Sequence, residues 1–274
     1  MPLSTRFLMC PPEYFDVAYV INPWMNDNVH QIDRLAAQRQ WRALYDTVCR
    51  YAKVRLLRPE PGSPDMVFTA NAGLVYERSF ILSRFRHEER QSEEPYFADW
   101  FDEHGYDVTT CPAELYFEGA GDALFDRDAP LLWMGFGQRS ASGAQAYITT
   151  ALQTAGHAIE VVALELRNAR YYHLDTCFCP LSGGYLLYYP AAFSDLALAA
   201  IAARVPIDRR IAVNAEDAAR FACNAVNIGS TLILNQASNA LVATLADHGF
   251  QVEQCALTEF MKAGGAAKCL TLAL

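Results

Sequence analysis

Short polar segments spaced along the chain carry one cysteine, one histidine and several carboxylates that could do chemistry together. A cysteine is the strongest nucleophile in such a set, and a neighbouring cation increases its thiolate fraction. A histidine titrates near neutral pH, so it can transfer a proton and activate water. The side chains are Asp65 and Asn71 in segment 64–73, Glu118 and Asp122 in 117–125, His173 and Asp175 in 171–178, Asn224 and Asn227 in 222–229, and Cys269 in 262–272.

The carboxylates indicate which substrate would accompany the cysteine. They accept paired hydrogen bonds from a planar cation such as guanidinium, and this pairing fixes the plane of the cation. The set therefore favours attack on the central carbon of an arginine-like group over ester or peptide chemistry. Each residue alone also has a structural explanation: Cys269 as a buried strand cysteine, and His173 as a core histidine satisfied by Asp175. Only a common location would make them a site.

A repeat of helices and strands provides that common location. Helices alternate with short strands along the chain. The amphipathic helices are predicted over 29–52, 93–104, 142–155, 194–203, 215–223 and 239–248. Five strands, at 53–59, 104–112, 155–164, 209–214 and 248–257, each lead through a loop into one of the polar segments. Four segments continue into a partner strand, and the N-terminal FLMCPP is expected to pair with the fifth. The pattern predicts a ring of five α/β units around one axis, with an open α/β sheet as the alternative.

Composition limits the class of protein. The 274 residues are 52% hydrophobic and 19% charged, which is typical of a folded chain, and no linker divides them, so we expect one domain over 1–274. The net charge of -9 opposes binding to nucleic acid or anionic lipid. The longest apolar run, 196–203, is too short for a membrane span, and a cytoplasmic protein is expected. We interpret the eight cysteines as thiols, with Cys177 and Cys179 on a buried strand.

Several motifs resemble those of the guanidine-modifying, or pentein, superfamily of arginine deiminases, dimethylarginine dimethylaminohydrolases and amidinotransferases. They are the acidic turn FEGAGD (117–122), which is one residue longer than the usual EGGD, the pair HLD (173–175), and the terminal GGAAKCLTL (264–272). The resemblance is strongest to arginine dihydrolases, whose blocks look like MCPPEYFDVAYVINPWM, PDMVFTANAGLV, ERQSEEP, YHLDTCFCPL and FACNAVN. It implies a five-bladed ββαβ propeller with pseudo-fivefold symmetry.

The resemblance also implies a mechanism. Cys269 would attack the guanidinium carbon, Glu118 and other acids would hold its nitrogens, and His173 would protonate ammonia and then direct water. Deiminases and dimethylaminohydrolases typically have a carboxylate where this chain has Asn71, whereas the dihydrolases carry Asn71 together with Asn22. An amide in place of a carboxylate removes a charge and adds a donor. The expected products from L-arginine are L-ornithine, two ammonia and carbon dioxide.

The remaining expectations concern binding and the alternatives. The residues expected to bind substrate are Asn22, Asp65, Phe68, Arg90, Asp122, Arg139 and Asp175, with the two arginines taking the substrate carboxylate and the Phe68 ring facing the guanidinium. No metal or organic cofactor is expected, and a homo-oligomer stays open. Other activities on the same scaffold are citrulline formation, hydrolysis of methylated arginine and, less favoured, amidino transfer. A non-catalytic binding protein is the alternative from another class.

Overall fold

The computed structural model describes residues 6–274, in which fifteen short strands form five three-stranded sheets. The strands are β1 (Arg6–Met9), β2 (Lys53–Leu56), β3 (Gly73–Tyr76), β4 (Ser79–Leu82), β5 (Asp107–Thr110), β6 (Ala123–Phe125), β7 (Leu131–Phe136), β8 (Glu160–Glu165), β9 (Phe178–Leu181), β10 (Tyr185–Tyr188), β11 (Arg210–Ala212), β12 (Val226–Ile228), β13 (Thr231–Leu234), β14 (Gln251–Gln254) and β15 (Leu272–Ala273). Four sheets contain three consecutive strands, β3 to β5, β6 to β8, β9 to β11 and β12 to β14.

The five sheets share one topology. In each, the middle strand pairs antiparallel with an inner strand and parallel with an outer strand, as β4 does with β3 and β5. The fifth sheet joins the two ends of the chain, because β1 pairs antiparallel with β15 and parallel with β2. The predicted closure by the N-terminal strand is therefore confirmed, and so is the five-bladed α/β-propeller. An open sheet is excluded.

Helices pack outside the sheets or precede the inner strands. They are α1 (Arg34–Cys49), α2 (Glu88–Gln91), α3 (Glu94–Glu103), α4 (Gly119–Asp122), α5 (Ala144–Thr154), α6 (Asp195–Ala202), α7 (Ala215–Ala219), α8 (Asn239–Asp247) and α9 (Thr258–Met261). The α1 helix buries Trp41, Leu44 and Val48, and each such side chain contributes about 1.5–3 kcal/mol. Within residues 6–274, no helix combines the length and the apolar character needed to cross a bilayer.

Two predicted helices are shorter in the structure. The first was expected from residue 29, but it begins only after Asp33, whose side chain caps it by accepting from the Ala36 N–H. His30, with φ of 55°, already lies outside helical geometry. The helix expected over 215–223 ends at Ala219, because Phe221 adopts φ of 59°.

The polar segments occupy equivalent places in the five units. Four short turns of helix, Pro64–Val67, Thr69–Ala72, α4 and Leu174–Thr176, lead into the inner strands β3, β6 and β9. In the other two units, loops of the chain carry Asn224 to the start of β12 and Cys269 to the start of β15. Since the inner strands surround one axis, side chains at these starts converge there.

Candidate active site

A pocket that opens in part to solvent lies where the inner strands begin. Its empty volume is about 250 Å³, and its wall is formed by Ile21, Asn22, Met25, Asp65, Phe68, Asn71, Arg90, Arg139, Tyr172, Ala263 and Cys269. Seven of the eleven residues predicted from sequence therefore line it. The other four, Glu118, Asp122, His173 and Asp175, are buried next to this wall, where Asp175 contacts Cys269 and Glu118 contacts Arg139. The sequence did not identify Tyr172 as a wall residue.

The Cys269 thiol is buried beside a carboxylate. Its Sγ lies 3.3 Å from Asp175 Oδ2 and 3.5 Å from Asp175 Oδ1, and the residue is 2% exposed. Burial, reinforced by the Asp175 charge, raises the pKa of Cys269 well above its ordinary value. Burial also raises the pKa of Asp175 to about 6, against the opposing charge of Lys268. These shifts favour a neutral Cys269 thiol that donates to Asp175, and a cation beside the sulfur would favour the thiolate.

Asn224 connects the nucleophile to the fold, although sequence reasoning did not commit it to the site. Its Oδ1 accepts from the backbone N–H groups of Ala266 (3.1 Å), Lys268 (3.0 Å) and Cys269 (3.2 Å). Its Nδ2 donates to the Asp175 carbonyl oxygen at 2.9 Å and to Cys269 Sγ at 3.1 Å. The signal available in the sequence was its place in the fourth polar segment. One side chain therefore holds the Cys269 turn and contacts the sulfur.

His173 is paired with Glu118 rather than with Asp175. His173 Nε2 lies 2.7 Å from Glu118 Oε2, which also accepts from Arg139 Nη1 at 2.9 Å. Glu118 Oε1 accepts from the Arg86 N–H at 3.1 Å. Burial favours protonation of Glu118, but Arg139 and then His173 outweigh it and hold its pKa below the usual range. An ionised Glu118 that orients the imidazole fits these contacts better than direct contact with substrate.

Asn71 is held in one orientation by a buried ion pair. Arg90 Nη1 donates to Asn71 Oδ1 at 2.9 Å, so the amide Nδ2 faces the other way, toward the Glu118 carbonyl oxygen at 3.4 Å. Arg90 also donates to both oxygens of Glu93, from Nε at 2.9 Å and Nη2 at 2.8 Å. Arg90 and Glu93 are 3% and 0% exposed. The sequence predicted Arg90 as a cation for the substrate carboxylate, whereas most of its donors are used within the protein.

A glycine allows Asn71 to approach the centre. A Cβ built on Gly121 would lie 2.3 Å from Asn71 Nδ2 and 3.4 Å from the His173 ring, so no other residue fits without displacing the amide. Asp122, in the same turn, does not line the cavity. Its Oδ2 accepts from Ser140 Oγ at 2.7 Å, and its Oδ1 accepts from the Leu174 N–H at 3.0 Å. These contacts support a role in placing the segment that carries His173.

The cavity wall also contains an unpaired carboxylate oxygen. Asp65 Oδ2 accepts from the Tyr19 hydroxyl at 2.9 Å, while Asp65 Oδ1 is buried without a hydrogen-bond partner among the described residues. Burial raises the pKa of Asp65 above its ordinary value, although Arg90 opposes this. A buried oxygen in this state is costly unless a ligand donates to it. The wall also carries two cations, Arg90 and Arg139, and the Arg139 guanidinium is stacked 4.6 Å above the Tyr172 ring.

The two remaining wall residues from the sequence analysis shape the cavity. Asn22 Nδ2 donates to the Ala263 carbonyl oxygen at 3.0 Å and ties the loop before α1 to the turn before Cys269. Phe68 packs so closely on that turn that a Cβ on Gly265 would lie 2.6 Å from its ring. In the described part of the chain, no group of three or more His, Cys, Asp or Glu side chains could hold a metal ion. The eight cysteines are free thiols.

The chain combines five α/β units around one axis with a buried cysteine, a histidine and carboxylates where the inner strands begin. This combination defines the guanidine-modifying, or pentein, class of protein. A family model described as N,N dimethylarginine dimethylhydrolase, eukaryotic, matches residues 18–274. The chain belongs to this family.

Individual relatives support the assignment. The bifunctional arginine dihydrolase/ornithine cyclodeaminase ArgZ of Synechocystis sp. is 55% identical over 267 residues, which are 97% of this chain and 37% of that protein. The N(G),N(G)-dimethylarginine dimethylaminohydrolase of Mycobacterium tuberculosis is 39% identical over 273 residues, 99% of this chain and 86% of that protein. A mutant N-terminal domain of ArgZ, bound to substrate, has a TM-score of 0.95 at 54% identity, covering 98% of this chain and 97% of that chain. The chain thus spans well under half of ArgZ.

Proposed function

We propose that this chain is an arginine dihydrolase, a hydrolase of the amidine C–N bonds of L-arginine that forms L-ornithine, two ammonia and carbon dioxide. The observation that carries the proposal is the Cys269 thiol within 3.3 Å of the buried Asp175 carboxylate, at a cavity whose wall carries the Asn71 amide. Support also comes from the likeness to ArgZ, which is described as an arginine dihydrolase from the ornithine-ammonia cycle in cyanobacteria.

The charges of the site match the two ends of arginine. The guanidinium would lie against Asp175, beside Cys269 Sγ, because attack requires its carbon next to the sulfur. The α-ammonium would donate to the unpaired Asp65 Oδ1, and the α-carboxylate would face Arg139 and the remaining donor of Arg90. Binding of the guanidinium would neutralise Asp175 and favour loss of the Cys269 proton. The substrate itself would thus activate the nucleophile.

The chemistry would then proceed in two hydrolytic stages. The sulfur lone pair forms a C–S bond, and a terminal C–N bond breaks with departure of ammonia, which takes its proton from His173 held by Glu118. Water activated by His173 adds to the S-linked amidino carbon, and the second terminal C–N bond breaks. A second water releases Cys269 and leaves a carbamate on the ornithine nitrogen, which loses carbon dioxide. Two waters are consumed for two ammonia and one carbon dioxide.

Asn71 would decide between one and two hydrolytic stages. Its Oδ1 is held by Arg90, so it presents an uncharged Nδ2 donor to the centre. A carboxylate there would accept a charge-assisted hydrogen bond from the remaining terminal nitrogen of the intermediate, so the sulfur would leave instead and citrulline would form. An amide N–H group cannot accept this hydrogen bond, so the terminal nitrogen is free to leave as ammonia. Asn22 would support the same pocket through the loop it fixes to Ala263.

The test is incubation of the purified protein with L-arginine, with citrulline, ornithine and ammonia measured together. Ornithine with about two ammonia per arginine and no citrulline is the expected result, from the stoichiometry above. Asn71→Asp should shift the products toward citrulline, whereas the matched change Asn239→Asp, at an exposed position outside the site, should not. Citrulline from the unmodified protein would overturn the dihydrolase proposal and leave a deiminase.

A second candidate is hydrolysis of N-methylated arginine, favoured by the family description and by the mycobacterial relative. Release of dimethylamine from Nω,Nω-dimethylarginine, in the absence of turnover of L-arginine, would support it. Loss of both reactions in Cys269→Ser would assign them to the same sulfur. Retention of either would overturn the proposed mechanism.

A further inference from the structure

A second cavity lies along the propeller axis, beyond the layer that carries Cys269. Its empty volume is about 660 Å³, and all five inner strands form its wall, through Val75, Phe125, Cys179, Val226 and Ala273 among others. It shares no wall residue with the cavity of the candidate active site. The proposed arginine chemistry uses nothing in it.

Two cations are the charged residues of this wall. Lys268 directly precedes Cys269, and Arg127 follows β6. Lys268 Nζ donates to the Ala120 carbonyl oxygen at 3.4 Å, and Arg127 Nη2 donates to the Asn227 carbonyl oxygen at 3.1 Å. Both acceptors are neutral, and neither cation forms a salt bridge with a described residue.

The acids nearest these cations are already engaged. Asp126 accepts from the N–H groups of Asp128 and Ala129 and from Trp133 Nε1, so it satisfies its own turn. Asp175 accepts from Cys269, and although its charge acts on Lys268, no salt bridge joins the two. The cavity therefore carries two cations that no salt bridge pairs directly, in an otherwise apolar surface, and this arrangement costs free energy unless an anion enters.

The pKa values agree with this picture. Burial lowers the pKa of Lys268, with Asp175 opposing and Arg127 adding to the effect. Burial lowers the pKa of Arg127 as well. The thiol of Cys179 has its pKa raised to about 11 by burial, while Arg127 and Lys268 pull it down. Both cations thus face the same region of the axis.

We propose that this axial cavity binds a small organic carboxylate, whose anionic head lies between Arg127 and Lys268 and whose hydrocarbon body lies against the inner strands. The wall selects a hydrocarbon body because its other residues are nearly all aliphatic or aromatic, including Leu74, Leu124 and Phe178. Two cations would hold one carboxylate by charge-assisted hydrogen bonds.

The mouth of the cavity favours a single negative charge. A wider cleft of about 1360 Å³ shares Val75, Phe125, Arg127 and Ala273 with the axial cavity. Its charged residues are three acids, Glu77, Asp126 and Asp128, and two cations, Arg6 and Arg127. These acids repel a phosphate or a dicarboxylate more strongly than a monocarboxylate. The site is therefore matched to a monocarboxylate with a short alkyl chain.

The test uses butyrate as the probe and calorimetric titration of the full chain. Butyrate is expected to bind at one site, and its uncharged isostere butyramide is expected to bind at least about tenfold more weakly. Lys268→Met and Arg127→Met should each weaken butyrate by at least about tenfold, because each removes one charged hydrogen bond. Arg55→Met, at an exposed arginine, is the control and should leave the affinity unchanged.

Two further variants keep the test decisive if a cation variant fails to fold. Ala273→Phe keeps both cations but fills the cavity, and it should abolish butyrate binding. Arg139→Met removes a cation from the other cavity and should leave butyrate binding intact. Absence of butyrate binding to the unmodified chain would overturn the proposal. Binding that Arg139→Met abolishes and Ala273→Phe spares would also overturn it, because butyrate would then occupy the candidate active site.

Discussion

The Asn224 side chain makes five hydrogen bonds around the nucleophile, two of them to Cys269 itself. Replacing it should therefore lower both the stability of the fold and the reactivity of the Cys269 thiol, and the two effects can be measured separately. Asn224→Ala removes the acceptor of the Ala266 and Cys269 N–H groups, whereas the Lys268 N–H keeps a second acceptor, the Asn224 carbonyl oxygen. An unsatisfied buried donor costs about 1–3 kcal/mol. The free energy of unfolding should therefore fall by about 2–6 kcal/mol, from the two orphaned N–H groups.

The same change removes the Nδ2 donor that lies 3.1 Å from Cys269 Sγ. A hydrogen bond to a charged group contributes about 1.5–3 kcal/mol, so thiolate formation should be disfavoured by about tenfold to a hundredfold. The assay is the rate of Cys269 alkylation by iodoacetamide against pH, in a Cys49→Ser background because Cys49 is exposed. The value of kcat/KM should fall by the same factor as the alkylation rate.

A matched variant separates the two effects. Asn224→Asp keeps an oxygen for the Ala266 and Cys269 N–H groups but turns an acceptor toward the sulfur and the Asp175 carbonyl oxygen. It should lose less thermal stability than Asn224→Ala and at least as much alkylation rate. The role assigned to Asn224 in thiolate formation requires both the alkylation rate and kcat/KM of folded Asn224→Ala to fall by at least about tenfold. A decrease of no more than about twofold in both quantities would refute that role.

The other predictions concern the acids and the packing of the site. Burial raises the pKa of Asp175 to about 6, so its contribution to stability is present below the ordinary carboxyl pKa and is lost as pH rises through about 6. Binding of guanidinium needs the ionised carboxylate, so kcat/KM should rise through the same pH range, because its pH dependence reports the pKa of an essential group in the free enzyme. A value of kcat/KM that stayed constant from about pH 5 to about pH 8 would contradict this assignment. Gly121→Ala should displace the Asn71 amide, because the added Cβ would lie 2.3 Å from Asn71 Nδ2. We expect thermal unfolding to show a loss of about 1–3 kcal/mol in stability, and product analysis to show an altered ratio of ornithine to citrulline. Glu93→Gln leaves the Arg90 charge buried without its partner, so the free energy of unfolding measured with denaturant should fall by about 3–5 kcal/mol. An unchanged denaturant concentration at the unfolding midpoint would argue against the ion pair.

The sequence alone determined the five-unit ring and the segments that face its axis. Helix and strand periodicity, the glycine that ends a helix and the Ser182-Gly183-Gly184 turn are local signals, so each element could be placed from its own residues. Repetition of these local signals then fixed which segments share a position. For that reason Cys269 and Asn71 could both be predicted at the centre before any coordinate was known.

Only the tertiary structure decided which side chains pair across the units. His173 could have been satisfied by Asp175, two residues away, yet it pairs with Glu118, and Asp175 pairs with Cys269. Asn224 reaches Cys269 from another unit. These contacts join residues 45 to 94 positions apart, and their distances follow from how the blades pack rather than from any local spacing. Sequence types can nominate a set of reactive groups, but burial and packing decide which oxygen meets which donor.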